Sequence, residues 1–215
     1  MRDALLVNEI LLSIQGESLR AGLPCTLVRL TGCNLRCQWC DTEYARTEGM
    51  SMSIDDVLAS VAGLGCRRVA VTGGEPLAQP AAIELLRRLC DAGCETLLET
   101  NGSLDIRQVD PRVIRIVDFK CPASGQDGAN RWENVHHLTG RDEVKFVIAD
   151  RGDYAFACRA VAEHKLLGRC PVTFSPVFGT LAPATLAGWI LADNLDVRLG
   201  LQLHKIIWPE ETRKR

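Results

Sequence analysis

The sequence has no surplus of charge of either sign. Its 25 Lys and Arg stand against 27 Asp and Glu, a net charge of -2, so no basic excess draws the chain to nucleic acid or to an anionic membrane. It has no internal repeat and no low-complexity tract. It also has no unbroken apolar run of membrane length. The longest uncharged stretch, residues 170–192, is interrupted by Pro171, Pro176 and Pro183, and reads as a buried strand, a loop and a helix rather than a span. The opening residues do not read as a secretory signal, because Ala4 to Val7 is a short apolar run with Asp3 and Glu9 on either side. What remains is ordinary globular composition, 47% hydrophobic and 24% charged. At 215 residues the chain is expected to form a single domain over residues 1–215 with a core that needs no disulfide staple.

Cysteine is plentiful. Ten in a chain without a secretory signal read as metal ligands or buried reduced thiols, in a reducing, cytoplasmic setting. Short runs rich in Val, Ile and Leu predict strands at residues 5–10, 26–30, 68–72, 96–99, 113–119, 143–149, 172–174 and 197–203. Helical periodicity falls between them, at 54–64, 80–92, 154–164 and 184–192. Ser53 is placed to cap the first of these with Asp56 three residues on, and Gly93 to end the second. Alternating strands and helices predict an α/β fold with parallel pairing. A complete eight-fold barrel typically takes ~250 residues, so an open, incomplete barrel of about six βα units is expected, with its chemistry at the strand C-termini.

The residues that carry chemistry begin directly after the strand at 26–30. Cys33, Cys37 and Cys40 lie in a loop with spacing C-x3-C-x2-C. A structural zinc site wants four ligands, and no fourth Cys or His follows at short spacing. Three thiolates suit a 4Fe–4S cluster with one iron left open for a ligand; a zinc site and three reduced structural thiols are the plainer alternatives. Val71-Thr72-Gly73-Gly74-Glu75-Pro76 ends the next strand, where two glycines let the backbone come close to a ligand, although alone this would be a strand-to-helix turn. Glu99-Thr100-Asn101-Gly102 and Asp118-Phe119-Lys120 end the following two strands. The seven other cysteines have no cluster spacing, and no auxiliary cluster is expected.

The cysteine loop, with Trp39 inside it, and the Gly-Gly-Glu-Pro turn resemble the radical S-adenosylmethionine superfamily, whose incomplete (βα)6-type, TIM-like barrel is the fold expected here. The resemblance implies that Cys33, Cys37 and Cys40 hold a 4Fe–4S cluster whose open iron chelates S-adenosylmethionine, and that the reduced cluster cleaves it to methionine and a 5′-deoxyadenosyl radical. Gly73, Gly74, Glu75, Asn101, Asp118, Phe119 and Lys120 are then implied cofactor contacts. So are Ser175, Pro176, Val177 and Phe178, although a glutamine often stands in the family where this chain has Ser175.

The stretch Glu9-Ile10-Leu11-Leu12-Ser13-Ile14-Gln15-Gly16-Glu17, then Gly22-Leu23-Pro24, Val28-Arg29-Leu30 and Gln202 to Pro209, is similar to the 7-carboxy-7-deazaguanine synthase family. That resemblance covers most of the chain. It implies a lyase that converts 6-carboxy-5,6,7,8-tetrahydropterin to 7-carboxy-7-deazaguanine with loss of ammonia, in purine-derived queuosine precursor synthesis. Ile14, Gln15, Gly16, Glu17, Arg29, Thr72, His204 and Pro209 are its implied substrate contacts, and Glu99 and His204 its implied catalytic residues. Thr42 is an implied ligand of a magnesium ion (Mg2+). A homodimer and an electron donor such as flavodoxin or ferredoxin are implied as well, with no direct contact to nucleic acid. Arg29 lies between Val28 and Leu30 and takes the opposite face from both, so it is expected to point into the barrel toward a substrate carboxylate. His204 is expected in the last strand. Some family members end at the proline matching Pro209, whereas residues 210–215 continue this chain. An activating enzyme that makes a glycyl radical on a partner protein would share the cluster and the glycine turn, but would not need Arg29, Thr42 and His204 around one anion. A non-catalytic metal-binding module would not need the glycine turn.

Overall fold

The computed structural model describes residues 4–209. Among these residues nine strands form one mixed, open sheet. In chain order they are β1 (Ala4–Ile14), β2 (Pro24–Leu30), β3 (Met50–Ser53), β4 (Arg68–Gly73), β5 (Glu95–Thr100), β6 (Ile114–Phe119), β7 (Glu143–Ile148), β8 (Val172–Pro176) and β9 (Arg198–Leu199). Their spatial order is β3-β1-β2-β4-β5-β6-β7-β8-β9. From β2 to β9 every pairing is parallel, which gives the incomplete barrel expected from the alternating pattern. The helices are α1 (Ile54–Gly63), α2 (Ala81–Asp91), α3 (Arg151–Glu163), α4 (Pro183–Ala192) and the short α5 (Leu203–Ile207).

Three features depart from the expected order. The first strand runs on to Ile14 and pairs antiparallel with β2, with an irregularity between Val7 and Glu9. β3, antiparallel to β1, carries only Met-Ser-Met-Ser and lacks the apolar run that marks a buried strand. The last strand is two residues long, not seven: Gly200 donates its N–H to the Phe174 carbonyl at 2.8 Å, and the chain then leaves the sheet. His204 accordingly sits on α5 and not in a strand.

The two faces of the sheet bury different things. Val28, Leu30, Val69, Val71, Leu98, Val117, Val144, Phe146 and Phe174 join the helices in the main core. The opposite face holds a smaller apolar layer of Cys25, Leu27, Ala70, Leu97, Ile114 and Ile116. Strand residues alternate between these faces, so the residue after Leu27 and Ala70 by two positions, Arg29 and Thr72, shares the inner face. The caps follow the sequence. The Ser53 hydroxyl accepts from Asp56 N–H at 3.1 Å in a reciprocal capping box, and Gly93 ends α2 with φ +77° while Cys94 N–H reaches Leu89 O at 3.0 Å.

One buried ion pair ties β6 to the loop before β7. The Arg115 guanidinium donates to both Asp142 oxygens at 2.9 and 2.6 Å, and Asp142 also accepts the Thr139 N–H and hydroxyl. Burial alone would raise the Asp142 carboxyl, but the Arg115 and backbone hydrogen bonds hold it below its ordinary value. Replacing Arg115 by Met leaves a buried carboxylate without its cation, and a loss of about 3–5 kcal/mol in urea unfolding at neutral pH is expected. In the parent protein the carboxylate's contribution is present above its ordinary value of 3.8 and fades as the pH falls below it. The stability gap between the two proteins should therefore narrow on acidification.

Candidate active site

The cysteine loop leaves β2 at its C-terminal end and is held by the turn that ends β4. Gly74 N–H donates to Leu30 O at 3.1 Å and Glu75 N–H to Gly32 O at 2.7 Å. A Cβ on Gly74 would stand 1.9 Å from the Gly32 carbonyl oxygen, and one on Gly73, whose φ is +131°, 2.1 Å from the Leu30 oxygen. The close backbone approach that these glycines permit is therefore an approach to the cysteine loop itself. Glu75 is fully buried, and its carboxylate accepts from Leu77 N–H, Thr100 Oγ1 and Asn101 N–H at 3.0, 2.9 and 2.7 Å. Burial raises its carboxyl above the usual range against the pull of these bonds. Its side chain locks the ends of β4 and β5 together.

Cys33, Cys37 and Cys40 are free, half-buried thiols. Asn101 Nδ2 lies 3.8 Å from Cys33 Sγ and donates to Asn34 Oδ1 at 3.0 Å. The Thr42 hydroxyl lies 3.9 Å from Cys40 Sγ. Burial raises the Cys37 thiol, and the Lys120 ammonium works against that rise. Lys120 pairs with Asp118 at 3.0 Å. Among the described residues, no three His, Cys, Asp or Glu converge on a single metal ion. Thiolates that each take a different iron of a cluster need not converge, and three free thiols on one loop are the donor set such a cluster uses. The other seven cysteines are free as well. Burial pushes Cys25 up to about 12 and Cys170 to about 11, as for inert core thiols.

The rest of the predicted cofactor set divides. Ser175 is buried and lies in register with Val147 of β7. Pro176 ends β8, and Val177 donates its N–H to Ile148 O at 2.8 Å. Phe178 is exposed at the rim, with the Lys205 ammonium 5.5 Å from its ring centre. The Phe119 side chain is turned away from the inner face. It is fully buried in the helix-side core and stacks on Trp132 with ring centres 4.5 Å apart, so only its backbone can serve the site.

Beside the cysteine loop the inner face becomes polar. Glu9, Arg29 and Thr72 are register neighbours across β1, β2 and β4, and Glu99 follows on β5. Thr72 Oγ1 donates to Glu99 Oε2 at 2.7 Å and Gln15 Nε2 to Glu99 Oε1 at 3.1 Å. Arg29 does point inward, as its phase required, but a protein anion meets it: Nε donates to Glu9 Oε1 at 2.7 Å, and Tyr44 OH donates to the same oxygen at 3.2 Å. The second wall comes from the two chain ends. Ile14 closes β1 opposite Pro24. Gly16 lies against the His204 ring so closely that a Cβ would meet Nδ1 at 2.1 Å, and Leu203 N–H donates to Gly16 O at 2.9 Å. Burial lowers the His204 imidazole below its ordinary value despite nearby Glu17 and Asp41. Glu17 accepts from Gln202 Nε2 at 2.6 Å and pairs with Lys145. Lys205 pairs with Asp41 at 2.6 Å. Pro209 is exposed at the end of the described residues, and the tail 210–215 lies outside them.

The sequence assigned no site role to Glu9, Gln202 or Lys145, although the first two lie in stretches that carry the family resemblance. Lys145 had a readable signal: in Glu143-Val-Lys-Phe-Val-Ile the charged residues share one phase of the strand, opposite the apolar residues of the main core.

The Radical SAM superfamily profile matches residues 27–118. A 7-carboxy-7-deazaguanine synthase of Koribacter versatilis is 47% identical, over 96% of this chain and 98% of its own length. The chain belongs to the 7-carboxy-7-deazaguanine synthase family. The synthase of Chlorobaculum tepidum is 46% identical over 96% of both chains. In fold, the chain is similar to the crystal structure of QueE from Escherichia coli, with a TM-score of 0.75, 24% identity and coverage of 93% and 94% of the two chains. A looser likeness links it to Streptococcus suis SuiB, with a TM-score of 0.56 over 83% of this chain and 50% of that one. Membership makes the chain a radical S-adenosylmethionine enzyme, with the 4Fe–4S cluster and S-adenosylmethionine that the superfamily implies. No described helix is long and apolar enough to cross a membrane.

Two substitutions separate cluster residues from bystanders. After anaerobic reconstitution, Cys37→Ala should lose the cluster's visible absorbance and iron, while Cys90→Ala should keep both. Gly74→Ala, with every thiol in place, should also lose iron, because the added methyl pushes the turn off the Gly32 carbonyl. Iron analysis and circular dichroism on the same samples distinguish loss of cluster from loss of fold.

Proposed function

We propose that this synthase converts 6-carboxy-5,6,7,8-tetrahydropterin to 7-carboxy-7-deazaguanine with loss of ammonia. The observation that carries the reading is the acceptor-lined floor of Gln15, Thr72 and Glu99, side by side with the three-cysteine loop. Both Glu99 oxygens are held by neutral donors, so a ring edge bearing N–H groups finds a carboxylate already aimed and still able to accept. Gln15 and Glu17 add acceptors from the β1 side. The substrate's carboxylate is given to Arg29 and His204. With the Arg29 Nε engaged by Glu9, its two terminal nitrogens are the ones left to meet that anion, and Glu9 sets the plane of the fork.

Cys33, Cys37 and Cys40 hold the cluster in this reading. Gly73, Gly74, Glu75, Asn101, Asp118, Lys120 and residues 175–178 surround S-adenosylmethionine, with Phe119 contributing backbone only. When bound, the cluster and S-adenosylmethionine would supply radical chemistry directed at C6 of the pterin. The chain's own work is to hold C6 in place, with Thr72 and Glu99 fixing the ring and Arg29 and His204 fixing the carboxylate. Burial favours a neutral His204 near pH 7, which donates one hydrogen bond without adding a second full charge beside Arg29. Thr42 offers one oxygen to a magnesium ion, which prefers oxygen ligands and shares its shell readily with water and substrate. A flavodoxin or ferredoxin is the proposed electron donor, a homodimer the proposed assembly, and the reducing cytoplasm the proposed setting for ten free thiols.

Anaerobically reconstituted protein given S-adenosylmethionine, a reductant and the pterin deuterated at C6 should form 7-carboxy-7-deazaguanine. Deuterium should appear in recovered S-adenosylmethionine, with less than one equivalent of cofactor consumed per turnover. Deuterium retained wholly elsewhere refutes abstraction at C6, and cofactor cleavage indifferent to the pterin refutes the substrate.

A further inference from the structure

We infer that Lys145 is a positioning residue of the substrate site, its ammonium fixing the Glu17 carboxylate where the ring's N–H edge meets it; this rests on the function proposed above. Lys145 lies on the inner face of β7, in register with Asp118 of β6 and Thr173 of β8. Its Nζ pairs with Glu17 Oε2 and lies 3.6 Å from Asp118 Oδ2. Asp118 in turn holds Lys120 at 3.0 Å. Glu17 belongs to the connection between β1 and β2, whose backbone is held by Gln15 N–H on Leu23 O and Gly22 N–H on Gln15 O at 2.8 Å, by Leu203 N–H on Gly16 O at 2.9 Å and by Glu17 N–H on Gln15 Oε1 at 3.2 Å; these contacts fix the main chain and leave the carboxylate to other partners. The side chain is therefore set by what grips its oxygens, Lys145 on one and Gln202 on the other.

The charges around Glu17 explain why the grip must be a cation. Asp41 and His204 lie within electrostatic reach of Glu17, and Asp118 and Glu99 within that of Lys145. Burial and the Asp41 carboxylate favour a protonated Glu17, and a protonated acid turns one of its oxygens into a donor facing the substrate's own donors. Burial is the largest single influence and works toward that state, but the Lys145 charge and hydrogen bond, together with the Gln202 hydrogen bond, hold the Glu17 carboxyl below its ordinary range. Lys145 itself is raised, because Glu17 and Asp118 more than offset its burial. A buried ion pair is weak evidence of stabilisation in itself, whereas its placement, bridging a substrate-facing acid and the strand end beside the cysteine loop, is what a positioning role requires.

The test uses the reconstituted holoenzyme with S-adenosylmethionine and no reductant, titrated with 6-carboxy-5,6,7,8-tetrahydropterin, so that binding is read without turnover. Lys145→Met should raise the pterin Kd about tenfold or more, the scale of one charge-assisted hydrogen bond. The ratio of its Kd to the parent's should shrink as the pH rises and Glu17 regains its charge. Lys145→Arg, which keeps the cation, should restore binding to within about threefold. In a Glu17→Gln background the Lys145→Met effect should lose its pH dependence. Unchanged iron content and S-adenosylmethionine affinity confirm that the variants are folded. Parent-like binding by Lys145→Met overturns the inference while leaving the proposed function standing, as does a pH dependence that survives in Glu17→Gln. An arginine variant as weak as the methionine one also overturns it, by assigning the lysine to packing. A parent protein that binds no pterin overturns both readings.

Discussion

Everything at this site hangs on the contact between two backbone segments, the Gly73-Gly74 turn and the start of the cysteine loop. Strands β2 and β4 are hydrogen-bonded neighbours up to Leu30 and Gly73. Past that point a sheet has no further means of holding its loops. Here the pairing continues beyond the strands, through Gly74 N–H to Leu30 and Glu75 N–H to Gly32, and the missing Cβ atoms let the turn lie flat on the loop. The buried Glu75 carboxylate then draws in Thr100 and Asn101 from β5, and Asn101 reaches back to Asn34 and toward Cys33. Three strand ends become one rigid platform under the cysteines. A cofactor that must deliver a radical to one carbon needs such a platform, since a small misplacement of the reacting atoms costs much of the rate.

The inner face is layered along the strands. Arg20, Glu95, Arg68 and Glu143 form an ion network toward the N-terminal ends. Cys25, Leu27, Ala70, Leu97, Ile114 and Ile116 fill the middle. The acceptors and cations of the site lie toward the C-terminal ends. The apolar middle separates two polar layers and gives the upper one a low-dielectric floor, in which charge pairs such as Arg29 with Glu9 and Lys145 with Glu17 are felt more strongly than in water.

Much of this was legible in the sequence, for identifiable reasons. Strands β2, β4, β5, β6, β7 and β8 are buried on both faces, and burial writes itself as runs of Val, Ile and Leu. The alternation of Val28, Arg29 and Leu30 was enough to place Arg29 inside. The sequence could not say which anion Arg29 meets, because Glu9 becomes its neighbour only through the antiparallel register of β1 on β2, a long-range fact. The short edge strand β3 bears no apolar signal at all. His204 was misplaced because Val-Arg-Leu-Gly-Leu reads as one strand, whereas the sheet supports only Arg198 and Leu199. The glycine turn was found by its motif, but its close partner is the loop backbone, which no local pattern encodes. Phe119 shows the converse: it stands between Asp118 and Lys120 in sequence, but strand alternation sends its ring to the opposite face and leaves only its backbone beside theirs.

An open barrel leaves a seam, and the fate of that seam explains why residues from both ends of the chain belong to one site. The sheet stops at β3 on one side and at the two-residue β9 on the other. The connection after β1 and the segment after β9 meet across the inner face, through Leu203 N–H to Gly16 O, the His204 ring on Gly16 and Gln202 on Glu17. Gly16 is the residue that permits this, since any side chain would occupy the imidazole's place. The segment is also pinned to the cysteine loop by Lys205 on Asp41, next to Cys40. The same side chains that close the barrel therefore also fix the polar groups that line its mouth. A shorter β9 serves this arrangement better than a long one: by releasing the chain from the sheet at Gly200, it lets His204 come over the mouth of the barrel rather than continue along its wall.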